Sequence, residues 1–110
     1  MSEIKLTFDG KEYSLTYTRE SVRQMERQGF SFVGFANGEK PATYSAQMFE
    51  GAFIARHRKM SRKAITEIYD HLDDKADLLA ALAELYNATL ETMVDTAAED
   101  DGKKATWARI

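Results

Sequence analysis

At 110 residues the chain has the commonest size of a single domain, long enough to bury one core. A hydrophobic fraction of 44% and a charged fraction of 30% suit a folding globular chain, and a net charge of −3 argues against an obligate nucleic-acid binder, which needs a cationic surface. With no cysteine it has no disulfide framework, thiol nucleophile or thiolate metal site. It also lacks an apolar run long enough to cross a bilayer and a signal-peptide core in residues 1–20, so no membrane role is expected and the cytoplasm is the expected compartment.

The charges are unevenly placed. Residues 1–63 carry 11 Lys/Arg against 7 Asp/Glu, whereas residues 64–110 carry 4 against 11. Such a dipolar chain either pairs its halves internally or offers opposite faces to different neighbours.

Glu3 to Tyr17 reads as a β-hairpin. Ile4, Leu6 and Phe8 alternate with Lys5 and Thr7, and Tyr13, Leu15 and Tyr17 alternate with Ser14 and Thr16. Asp9-Gly10 between them is a favoured two-residue turn, because both positions require positive φ. That loop sets Leu6 opposite Tyr13 and Ile4 opposite Leu15, which puts the apolar residues on one face. Thr18 is then a good N-cap for a helix over 19–28 carrying Val22 and Met25, with Gly29 at its C-terminal stop. Phe30 to Asn37 has no consistent period. Gly34 weakens any strand there and Asn37-Gly38 signals a turn, so a loop is expected.

Pro41 supplies the entry of a helix over 42–58 whose stripe is Tyr44, Met48, Phe49, Ala52 and Phe53, with Gly51 suited to close contact with another helix. Ser61 caps a helix over 62–72 carrying Ile65, Ile68, Tyr69 and Leu72. Asp73 or Asp74 caps the last helix, 74–98, which is about 25 residues or ~36 Å long. Its stripe is Leu78, Leu82, Leu85, Tyr86, Met93 and Ala97, widened by Leu79, Leu90 and Val94. Residues 99–110, with Trp107 among them, read as a flexible tail. The fold class is therefore α+β: one domain over 1–98, a hairpin packed on about four helices.

Catalytic, cofactor and metal sites are not signalled. His57 and His71 lie on different expected helices with no paired spacing, and neither a GxSxG elbow nor a phosphate-binding glycine loop occurs. Two features do suggest binding. Phe30, Phe32 and Phe35 form either part of the core or an apolar surface for a partner. The run Arg56-His57-Arg58-Lys59-Met60-Ser61-Arg62-Lys63 is a basic corner. It reads as a helix end whose cations suit the dipole, or as a site for an anionic partner through Arg56, Arg58 and Lys59. An acidic protein fits that site better than nucleic acid, because stacking aromatics are not interleaved with the cations. A small nucleic-acid-binding regulator using 56–63 is the alternative reading.

Several segments in order resemble a known family. They are the hairpin ending in Tyr17, Gln24-Met25-Glu26-Arg27-Gln28-Gly29-Phe30, Lys40-Pro41-Ala42-Thr43 and Met48-Phe49-Glu50-Gly51-Ala52-Phe53. After them come His57-Arg58, Ile68-Tyr69-Asp70, Glu84-Leu85-Tyr86-Asn87 and Leu90-Glu91-Thr92. Over roughly residues 3–95 this order resembles the tail assembly chaperones of long-tailed bacteriophages and prophages. The resemblance implies a protein without cofactor or catalysis that binds the tape measure protein, keeps it soluble and helps recruit the major tail protein. It implies action in the bacterial cytoplasm and departure before the virion is complete, and it is compatible with a homo-oligomer. In many such phages a ribosomal frameshift near the gene's end yields a longer form. Gly102-Lys103-Lys104 is compatible with a slippery run of adenines there.

Overall fold

Asp9 and Gly10 take φ values of 51° and 77°, and the left-handed pair closes the tight turn of an antiparallel hairpin. The computed structural model describes residues 3–94 together with Ala108 and Arg109. In the hairpin, β1 (Ile4–Phe8) pairs with β2 (Lys11–Leu15) in the expected register, Leu6 opposite Tyr13 and Ile4 opposite Leu15. Leu6, Leu15 and the following Tyr17 are buried, and Ile4, Phe8 and Tyr13 pack half-buried against the same core.

Among the described residues five helices follow: α1 (Arg19–Arg27), α2 (Phe32–Ala36), α3 (Pro41–Gly51), α4 (Arg62–Asp70) and α5 (Lys75–Val94). The architecture is α+β, an N-terminal hairpin on a helical bundle with a long last helix. Thr18 caps α1 by accepting from the Ser21 amide, while the Ser21 hydroxyl is in turn the acceptor for the Thr18 amide. The helix ends as expected at Gly29, φ 94°. The Phe30 amide reaches the Met25 carbonyl and the Gly29 amide the Glu26 carbonyl, the paired bonds of a Schellman stop.

The segment expected as a loop contains a short helix instead. Ser31 caps α2 by accepting the Gly34 amide at 3.0 Å. Gly34 breaks nothing here. A methyl group at that position would sit 2.7 Å from the Tyr44 ring, so glycine is what lets α2 lie against α3.

The helix expected over 42–58 stops at Gly51. Ala52, Phe53 and Ile54 turn their amides to the carbonyls three residues back, and the Ala52 carbonyl accepts from the Thr16 amide at 3.2 Å. That carbonyl is thereby committed to the hairpin, and residues 52–59 continue as a chain of turns. The apolar stripe is as expected: Tyr44, Met48, Phe49, Ala52 and Phe53 are all buried. So is the role of Gly51, since a Cβ there would come within 2.2 Å of the Met25 sulfur of α1.

Ser61 caps α4 through the Ala64 amide at 3.1 Å; the helix ends at Asp70, two residues short of expectation. Asp74 is at φ 51° and opens α5 by its carbonyl, which accepts the Leu78 amide, rather than as an ordinary extended cap. Of α5's stripe, Leu82 and Tyr86 are fully buried, and Leu78, Leu79, Leu85, Leu90 and Met93 are half-buried against the core. The Arg19 guanidinium donates to the Thr92 carbonyl and ties the end of α5 to the start of α1. The expected continuation of the helix to 98, Ala97, the Gly102-Lys103-Lys104 segment and Trp107 lie outside the described residues.

Candidate protein-binding surface

The three phenylalanines come together around one tyrosine of α5. Phe32 stacks on Tyr86 with centroids 4.8 Å apart and planes 20° from parallel, and Phe30 meets the same ring edge-on at 5.4 Å. Phe35 touches both Phe30 and Phe32 at 6.3 Å. Phe30 is 4% exposed, so its ring is spent on the core and is not offered at the surface. Phe32 and Phe35 are half-buried, while Val33 between them is 69% exposed. The surface of this segment is therefore Val33 with the flanks of Phe32 and Phe35, narrower than three free rings.

The basic corner does not end a helix. The dipole explanation for Arg56, Arg58 and Lys59 fails because α3 has already stopped at Gly51. These cations lie on the turn chain instead, and ion pairs fix it to its neighbours. Arg56 meets Glu3 beside β1 at 2.9 Å, Arg58 meets Glu20 of α1 at 3.1 Å, and Arg62 meets Glu50 of α3 at 3.4 Å. All three carboxylates belong to the first 63 residues, so these pairs join parts of the basic half to one another. Lys59 is exposed. The Arg56 bond draws the Glu3 carboxyl below its ordinary pKa.

His57 sits in the middle of this corner and has a structural task. Its Nε2 accepts the Ser14 amide at 3.1 Å, and its ring packs on Tyr13 at 5.4 Å and on Phe53 at 5.9 Å. Together with the Thr16–Ala52 bond this covers the outer edge of β2, which would otherwise present unpaired amides. His71, by contrast, donates from Nδ1 to the Glu67 carbonyl and packs on Phe8. The two histidines thus serve opposite ends of the hairpin and do not converge. Among the described residues no group of three His, Cys, Asp or Glu side chains could hold a metal ion, and no helix is long and apolar enough to cross a membrane.

Sequence reasoning did not find the cleft beside this corner. It has a volume of about 170 Å³ and opens between α1, the end of α3, the turn chain and the start of α4. Phe53, Ile54, Met60 and Ile65 supply apolar lining, and Gln24 of α1, Gln28 at its C-terminal cap, Arg58 and Arg62 supply polar lining. Glu50 also lines it. Burial pushes the Glu50 carboxyl above its ordinary pKa, and the Arg62 charge opposes that rise. Only the 56–63 run was visible as a signal, because the other walls come from four elements with no common spacing.

Nearly the whole chain falls within a described family. Residues 1–109 match the family model for a domain of unknown function, DUF5055, so the chain belongs to that family. No curated protein and no solved structure matches it.

Proposed function

We propose that this DUF5055-family chain is a tail assembly chaperone of a long-tailed bacteriophage or prophage. It would bind the tape measure protein, hold it soluble and help recruit the major tail protein. The observation that carries this reading is the ordered resemblance running from the hairpin's Tyr17 to Leu90-Glu91-Thr92 of α5. Tape measure segments are long, helical and apolar. A protein that holds one until polymerisation needs modest apolar contact and a grip weak enough to release. Val33 with the flanks of Phe32 and Phe35, and the basic corner with its cleft, are the surfaces suited to such a grip. The chain would act without cofactor in the host cytoplasm and would leave before the virion is finished. Self-association, where it occurs, would be read by sedimentation at several concentrations.

The test is co-expression with a tape measure fragment. The fragment is expected to move from the pellet to the soluble fraction when this chain is present. Equal insolubility with and without it overturns the reading. The gene order gives an independent check, with a large tape measure gene expected immediately downstream.

A further inference from the structure

The cleft between α1 and the basic corner combines two kinds of surface. Its floor is apolar: Phe53 and Ile65 are buried, and Ile54 and Met60 are half-buried. A volume near 170 Å³ is comparable to the roughly 150 Å³ apolar cavity that accepts a benzene ring, so one apolar side chain up to phenyl size fits. Its rim is cationic and loosely held. The Arg58 and Arg62 side chains are 59% and 77% exposed, and each meets one carboxylate in water-accessible geometry. The Arg58–Glu20 pair is exposed on both sides, so an incoming carboxylate displaces Glu20 at little cost, whereas Glu50 is 27% exposed and an incoming carboxylate shares Arg62 with it. Lys59 and Lys63 are exposed beside them, and Arg23 and Arg27 are exposed next to Gln24 and Gln28 on α1. In a chain of net charge −3 this is a local concentration of positive charge.

We propose that the cleft docks a segment of a partner protein in which one apolar side chain is flanked by acidic residues. The apolar group sits on Phe53, Ile54 and Met60, and the flanking carboxylates engage Arg58 and Arg62. This inference rests on the chaperone reading and names the chemistry of the segment gripped. A phosphodiester chain fits less well. Its bases would need exposed aromatic rings to stack on, and none is interleaved with the cations of 56–63.

The experiment titrates the full chain, isotope-labelled, with a short synthetic peptide carrying one central phenylalanine between glutamates. Backbone amide shifts at Gln24, Gln28, Ile54 and Met60 are expected to move together. A peptide with glutamine for glutamate, or alanine for phenylalanine, is expected to bind at least tenfold more weakly. The R58E/R62E chain should lose binding by a similar factor. The R58Q/R62Q chain removes the charges without setting new carboxylates against Glu20 and Glu50, and should do likewise while still showing a cooperative thermal melt. No shift at these amides, equal binding after charge removal, or tighter binding of a single-stranded oligonucleotide at the same amides overturns the proposal. The two readings fail separately. If the peptide binds but a tape measure fragment is not solubilised, the chaperone assignment falls and the cleft stands. If R58Q/R62Q solubilises the fragment as well as the parent chain does, the cleft assignment falls and the chaperone stands.

Discussion

Tyr17 and Tyr86 offer a matched pair of substitutions, because both are almost fully buried and their rings touch edge-on at 5.3 Å. Their hydroxyls differ in one respect. The Tyr17 hydroxyl donates to the Met48 carbonyl at 2.6 Å, a carbonyl that the Ala52 amide has left in favour of Phe49. The Tyr86 hydroxyl is buried with no hydrogen-bond partner among the described residues. Replacing either by phenylalanine deletes the same atom from a similarly buried ring, so packing losses nearly cancel and the hydrogen bond remains as the difference. Y17F strands a buried acceptor and should cost about 1–3 kcal/mol. Y86F relieves a desolvated donor of its unmet bond and should be neutral or stabilising. In a domain of this size each kcal/mol moves the melting temperature by about 4–8 °C, so urea and thermal melts separate the two easily. Alkaline pH adds an independent readout. Burial, helped by the Glu26 charge, pushes the Tyr86 pKa up to about 12, and burial followed by the neighbouring Tyr86 raises Tyr17 well above its ordinary 10. A raised folded-state pKa favours the neutral phenol. Its contribution is complete below pH 10 and is lost as pH climbs from there toward 12. Y86F should therefore flatten the loss of stability in that window. A Y86F chain destabilised as much as Y17F, with an alkaline profile like the parent's, would refute the reasoning.

Gly51→Ala drives a methyl group into Met25 and should cost about 1–3 kcal/mol by overpacking. Met25→Ala alone should cost about 2–5 kcal/mol, and the double variant less than the two together, because the new methyl occupies part of the vacated space; strict additivity in urea melts would count against the contact. His57→Ala removes the acceptor of the Ser14 amide and a ring from Tyr13, so faster hydrogen exchange at Ser14 is expected with a destabilisation of about 1–3 kcal/mol. An unchanged Ser14 exchange rate would show that the β2 edge is covered in some other way. Glu50→Gln should stabilise the chain at neutral pH. Burial raises the folded-state pKa of Glu50, so its contribution is full below 4.5 and is lost as pH rises through that raised value. The variant's advantage should accordingly vanish in acid, and melts at pH 4 and pH 7 that differ equally from the parent would contradict this.

Local grammar made part of this fold legible. Asp9-Gly10 between alternating runs specifies both the hairpin and its register, since a two-residue loop leaves one pairing that keeps Leu6, Tyr13 and Leu15 on a single face. Thr18, Gly29 and Ser61 act within one turn of their own position and were readable for that reason. The misread elements depend on distant residues. Helix α2 is too short to show a period, and its Gly34 looks like a breaker until Tyr44 of α3 is seen beside it. The end of α3 is set by a hydrogen bond from Thr16, and nothing in residues 52–58, rich in helix-forming types, announces it. The same holds for the candidate site. The cations 56–63 stood out by composition, whereas Glu3, Glu20 and Glu50 pair with them across folds of the chain that no spacing encodes.

The residues that carry the family resemblance are largely those that hold the fold together. Gly29 makes the stop of α1, Phe30 fills the core beside Tyr86, and Met48, Phe49, Ala52 and Phe53 are buried, with Gly51 pressed against Met25. Substituting any of them would unfold or loosen the domain and remove partner binding along with it, so loss of function at such positions cannot distinguish a contact from a scaffold. Exposed positions can. Val33, Arg58, Lys59 and Arg62 lie at the surface, where replacement changes stability by about 0.5 kcal/mol or less unless a special feature is broken. A defect in client solubilisation that appears at Arg58 and Arg62 without a change in melting temperature would assign the grip to the cleft. The same defect at Val33 alone would assign it to the edge of α2. A chain that tolerates all four changes would rule out both surfaces.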